Sequence, residues 1–134
     1  MKLLQTISVL CAGLFGASAT SAEQVGEQAL IVHFQYNSTD LGNLVELEKQ
    51  LTAAVEGAQL GQVDGHEIAV DGSDGYLYIY GPSADRLFDV VSPIIAKTSY
   101  VTKPVARLRY GGVGDPSVLE KIADIGAEPD KGPK

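Results

Sequence analysis

The stretch GHEIAVDGSDGYLYIY, residues 65–80, decides the fold. Residues 66–71 and 76–80 have strand character, and Gly72-Ser73-Asp74-Gly75 lies between them. That link is rich in residues that tolerate positive φ or bond to their own backbone, so it predicts the turn of a β-hairpin. Side chains alternate between faces along a strand. Ile68 and Val70 therefore share one face, with Glu67, Ala69 and Asp71 on the other. Leu77 and Ile79 share a face, with Tyr76, Tyr78 and Tyr80 opposite. The aliphatic set is expected in the core and the tyrosines on a face that a two-layer fold leaves open. A slip of one residue would invert the assignment.

The other elements arrange themselves around that hairpin. Residues 29–36, ALIVHFQY, form a run of strand length in which Leu30, Val32, Phe34 and Tyr36 face the core and Ile31, His33 and Gln35 face away. Asn37-Ser38-Thr39-Asp40 reads as a turn and helix start. Leu44, Leu47, Leu51 and Val55 then make one apolar stripe, which predicts a helix over residues 41–56. After the hairpin, Ser83 is a suitable cap and Asp85 is well placed in the first turn of a second helix. Leu87, Val90, Val91, Ile94 and Ile95 line its apolar side, and Pro93 is expected to kink or split it. Residues 105–110, VARLRY, form the last predicted strand, with Ala106, Leu108 and Tyr110 on one face and Val105, Arg107 and Arg109 on the other. Asp115-Pro116 reads as the start of a short amphipathic helix carrying Val118, Leu119 and Ile122 to about residue 124.

Residues 1–22 read as a secretory signal: Lys2, an apolar run over residues 3–15, then small residues with cleavage after Ala19 or Ala22. The run is short of the roughly 20 residues a spanning helix needs. Leu10 stands where lipoprotein processing at Cys11 wants a small residue. A periplasmic or secreted protein is expected, with one domain over residues 23–126 and a disordered tail over residues 127–134. Its only cysteine, Cys11, leaves with the signal, so no disulfide is expected.

Ten Lys plus Arg stand against 17 Asp plus Glu, a net charge of −7, and loss of Lys2 makes the remainder more acidic still. That balance disfavours nucleic acid and anionic membranes as partners.

The order β-α-β-β-α-β resembles the ferredoxin-like, split βαβ arrangement. The phrases LYIYGPSADRLF and ARLRYG also resemble those of small exported bacterial proteins of unknown function, which carry no activity to transfer. The resemblance implies a four-stranded antiparallel sheet of order 4-1-3-2 with both helices on one face. It also implies an open face with His33 beside Tyr76, Tyr78 and Tyr80, Arg107 and Arg109 on one flank, and Glu67 and Asp71 on the other.

Three uses of that face compete. Tyrosine and arginine are the residue types that anchor protein interfaces, so a protein partner is expected first. The partner could be a second copy in a homodimer, a secreted enzyme, or a toxin to be neutralised, with this chain as inhibitor, immunity-type or accessory factor. The alternative is a small-molecule or enzymatic dimer with His33 as acid/base and a tyrosine or Arg109 stabilising charge. An RNA-recognition face is the third, opposed by the acidic charge. Against all three, tyrosines are good strand formers and can cover arginine across neighbouring strands without binding anything.

No residue is assigned as catalytic, and no cofactor or metal is expected. Asp64, His66, Glu67, Asp71 and Asp74 crowd the hairpin but match no calcium-loop or zinc spacing. Gly111-Gly112-Val113-Gly114 lacks the lysine of a phosphate-binding loop, and Asp115 stands where the anion would sit. No serine lies in a nucleophile elbow.

Overall fold

The computed structural model describes residues 27–112 and 114–126. The predicted signal and C-terminal tail lie outside the described residues. The chain runs β1 (Gln28–Gln35), α1 (Gly42–Gly57), β2 (Gln62–Ile68), β3 (Asp74–Gly81), α2 (Ala84–Ala96), β4 (Thr102–Arg109) and β5 (Glu120–Asp124). It is an α+β protein whose five strands form one antiparallel sheet in the order β2-β3-β1-β4-β5.

The alternation read from the sequence is the alternation observed. Leu30, Val32 and Phe34 of β1, Leu77 and Ile79 of β3, and Ala106 and Leu108 of β4 are buried. They form one core with Leu44, Leu47, Leu51 and Val55 of α1 and Leu87, Val91 and Ile95 of α2. Both helices therefore cover the same side of the sheet. No helix among the described residues is long and apolar enough to cross a membrane.

The two helices begin differently. Leu41 precedes α1 without a side-chain cap, and the Asp40 carboxylate accepts from the Gly42 amide at 2.9 Å in the turn before it. Ser83 accepts from the Arg86 amide at 3.2 Å and opens α2. Pro93 does not split α2, which is one helix from Ala84 to Ala96. Thr98, just past its end, donates its hydroxyl to the Ile94 carbonyl.

Three expectations are corrected. The hairpin turn spans residues 69–73, because Asp74 and Gly75 already pair in β3, opposite Gln35 and Phe34 of β1. Gly75 is a packing glycine: a Cβ there would lie 2.4 Å from Ile68 Cδ1 and 2.5 Å from the Glu67 carbonyl oxygen. Val70 is fully exposed in the turn, outside the core. Asp71 is in the turn too, bonded to the Ser73 amide at 3.0 Å, and so contributes nothing to the sheet face.

The sheet has five strands rather than four. The segment predicted as a C-terminal helix is β5, paired with β4 from Val105–Asp124 to Arg109–Glu120. Leu119 and Ile122, which suggested a helical stripe, are exposed, and Ile125 is the residue that enters the core.

β2 begins earlier than its polar sequence suggests and carries a bulge at Asp64. Val63 lies opposite Ile79, but Gly65 lies opposite Tyr78. Gly65 takes φ +146°, a left-handed value suited to glycine, and a Cβ built there would approach only the Glu48 carboxylate of α1, at 3.9 Å.

Candidate functional site

The face of the sheet away from the helices carries the predicted site residues in three cross-strand rows. Val105, His33, Tyr76 and Glu67 lie side by side across β4, β1, β3 and β2. The next row is Arg107, Ile31, Tyr78 and Gly65. The third is Arg109, Ala29, Tyr80 and Gln62. β5 adds Asp124, Ile122 and Glu120 to the ends of these rows. Directly opposed side chains lie on the same face, so the register alone brings His33 beside Tyr76 and Arg107 beside Ile31.

His33 Nε2 lies 2.8 Å from Asp74 Oδ2, with both side chains about two-fifths exposed. The imidazole sits against Tyr76, ring centroids 4.8 Å apart and tilted by 47°. Tyr76 in turn stacks on Tyr78 at 6.2 Å. The Tyr78 hydroxyl donates to the Glu67 carboxylate across the β2–β3 pair. That bond favours the protonated phenol, and with partial burial it pushes the Tyr78 pKa up to about 12. Burial also raises Tyr80, assisted by the negative charges of Asp64 and Glu27.

The two arginines have different roles. The Arg109 guanidinium pairs with Glu120 and donates through Nη2 to the carbonyls of Gly112 at 3.2 Å and Asp115 at 2.9 Å. Only 16 % of its side chain is exposed, so it pins the β4–β5 connection and is withdrawn from the open face. With Tyr80 it also flanks Ala29, which is fully buried on this side of the sheet. Arg107 is 55 % exposed and approaches Glu120 only to 3.9 Å. Of the two arginines it is the one left accessible on this face.

Between these groups lies a depression of about 420 Å³, lined by Ile31, His33, Tyr76, Val105, Arg107 and Ile122. Its floor is aliphatic and its walls are an imidazole, a phenol and a guanidinium. A second depression of about 340 Å³ lies at the bulge, lined by Asp64, Gly65, His66, Glu67, Tyr78 and Tyr80.

The acidic residues of the hairpin are spread over separate partners. Asp74 bonds His33, Glu67 bonds Tyr78, and Asp71 bonds the turn backbone. His66 points to the helix side, where Nδ1 lies 2.8 Å from Glu48 Oε2 of α1. No three His, Cys, Asp or Glu side chains gather as a metal site among the described residues.

Sequence reasoning missed Ile122, because the period of a five-residue edge strand is too short to separate from a helical one. Val105 was placed on the correct face without a role. Asp74 was assigned to the turn, although an acidic residue at a strand end beside a histidine-bearing strand was the available signal. No protein-family model, curated protein or solved structure matches the chain.

Proposed function

We propose that the chain is an exported binding protein that docks a protein partner through the open sheet face. In this reading its fold is a ferredoxin-like sandwich extended by a fifth strand. The partner would be an enzyme or toxin held inactive, a factor the protein assists, or a second copy of the chain.

The observation that carries this reading is an exposed apolar centre within a charged rim. Tyr76 is 40 % and Ile122 57 % exposed, above the less exposed Ile31 and Val105. Arg107, Glu67 and the His33–Asp74 pair surround them. Protein interfaces have that anatomy, with aromatic and aliphatic anchors inside a polar border. The tyrosine ladder is also fixed in advance: Tyr78 by its hydrogen bond, and Tyr76 by the stacked ring of Tyr78 on one side and the tilted imidazole of His33 on the other. Rings already ordered lose less entropy on docking.

The depression at His33 favours a second reading, a small-molecule site. Its volume falls within the range of ligand pockets, about 300–1,000 Å³. A carboxylate-held imidazole can move a proton. Tyr76 is the one hydroxyl in the lining, with no serine, threonine or cysteine to act as a nucleophile.

Affinity capture from the periplasmic or culture fraction, with wild type and Tyr76→Ala side by side, tests the first reading. A protein retained by wild type and lost with the variant, at equal thermal stability, supports docking. Identical capture by both removes it.

A further inference from the structure

We infer that the open face is built to pair with the open face of a second copy of this chain, about a twofold axis parallel to the strands. This inference rests on the docking reading above and names the partner.

The charges on the face are unevenly placed. β4 presents Arg107, with the acidic Glu120 and Asp124 of β5 beyond it, while the β2 side presents a depression lined by Glu67 and Asp64. A partner of another kind would need to supply both complements. A second copy, turned through half a rotation, supplies them already, and each copy gives what the other takes.

The register makes the geometry definite. A twofold axis along the strands, above the boundary between β1 and β3, exchanges β1 with β3 and β4 with β2. Rows across the sheet are kept. Arg107 shares its row with Gly65, so the rotation brings the Arg107 of each copy above the Gly65 of the other. The depression there is lined by Glu67, Asp64 and the ring of Tyr78, which would receive the guanidinium. In the same operation Ile31 comes over Tyr78 and His33 over Tyr76, closing the aromatic centre on itself. An axis across the strands would instead set β4 over β4 and Arg107 towards Arg107, a like-charge contact that disfavours it.

Size sets the expected strength. Four overlapping strands about 4.8 Å apart, each giving about six residues at about 3.3 Å, cover roughly 19 by 20 Å. That is small beside the roughly 800 Å² per partner of standard interfaces. The pair should therefore be a weak, reversible dimer rather than an obligate one.

Sedimentation of the protein recovered after expression of the full chain, from about 1 μM to about 1 mM, tests this. The weight-average mass should climb towards twice the monomer's. Arg107→Glu alone and Glu67→Arg alone should each weaken association at least about tenfold, each placing like charges at both symmetry-related contacts. An equimolar mixture of the two variants should recover it, because each mixed pair has both contacts complementary. A wild-type protein that stays monomeric throughout overturns the inference, as does a dimer indifferent to Arg107→Glu. A monomeric wild type that still captures another protein in a Tyr76-dependent manner would sink self-pairing and leave docking standing. A monomer that captures nothing would sink both.

Discussion

The hydroxyl of Tyr78 donates across the β2–β3 pair to the carboxylate of Glu67, and the ring behind it stacks on Tyr76. The bond holds the phenol protonated to a pKa of about 12. A pKa raised in the folded state favours folding below the unfolded value, about 10 for tyrosine. That contribution is present at neutral pH and is lost as pH climbs from about 10 through about 12. Absorbance titration near 295 nm should show several tyrosines ionising late with Tyr78 the last of them, and Glu67→Gln should move that last step back towards the ordinary range. A last step that ignores Glu67→Gln would show that burial, not the carboxylate, holds the proton.

Leu77 and Asp74 occupy one strand and differ in what they hold. Leu77 is fully buried against the helices, so Leu77→Ala should cost about 2–5 kcal/mol by lost burial and cavity formation. Asp74 is two-fifths exposed and pairs with an equally exposed His33, so Asp74→Asn should cost less than about 1 kcal/mol. Urea denaturation of the two variants checks the order.

Arg109 fastens the β4–β5 connection through Glu120 and two carbonyls. Arg109→Ala should raise amide hydrogen exchange at Tyr110, whose N–H bonds the Leu119 carbonyl, and along β5. Arg107→Ala should leave that protection near wild type, because Arg107 makes only the long contact to Glu120.

Gly75 is held small by its neighbours rather than by a turn. A methyl there would meet Ile68 and the Glu67 carbonyl, with Phe34 Cζ at 3.2 Å. Gly75→Ala should cost about 1–3 kcal/mol as overpacking, measured by thermal melting. A neutral result would show that Ile68 and the β2 backbone at Glu67 both give way freely.

The hydrophobic alternation of β1, β3 and β4 and the stripe of α1 were legible in the sequence, because each is long enough to show its period. Leu30, Val32 and Phe34 could be assigned inward with no knowledge of their neighbours. The end of the turn was placed two residues late because Asp74 and Gly75 have turn chemistry, whereas pairing with β1 and packing by Phe34 decide their conformation. β5 was hidden for a related reason. Asp115-Pro116 is a good helix start, and the spacing of Val118, Leu119 and Ile122 fits a helix as well as a strand. Its pairing with β4 is a long-range fact that no local window contains. At the site, alternation placed Arg107 and Arg109 on one face. It could not foretell that the loop beyond β4 would claim Arg109 and leave Arg107 free.

The most direct test of the account is thiol labelling at two adjacent positions. In a Cys11→Ser background, Tyr76→Cys and Leu77→Cys each carry a single thiol. Their reaction rates with a small alkylating reagent should differ sharply. The account predicts that the thiol at 76 reacts nearly as fast as in urea, and that the thiol at 77 waits for unfolding. A protected 76 with a reactive 77 would turn the sheet over and take the binding face with it.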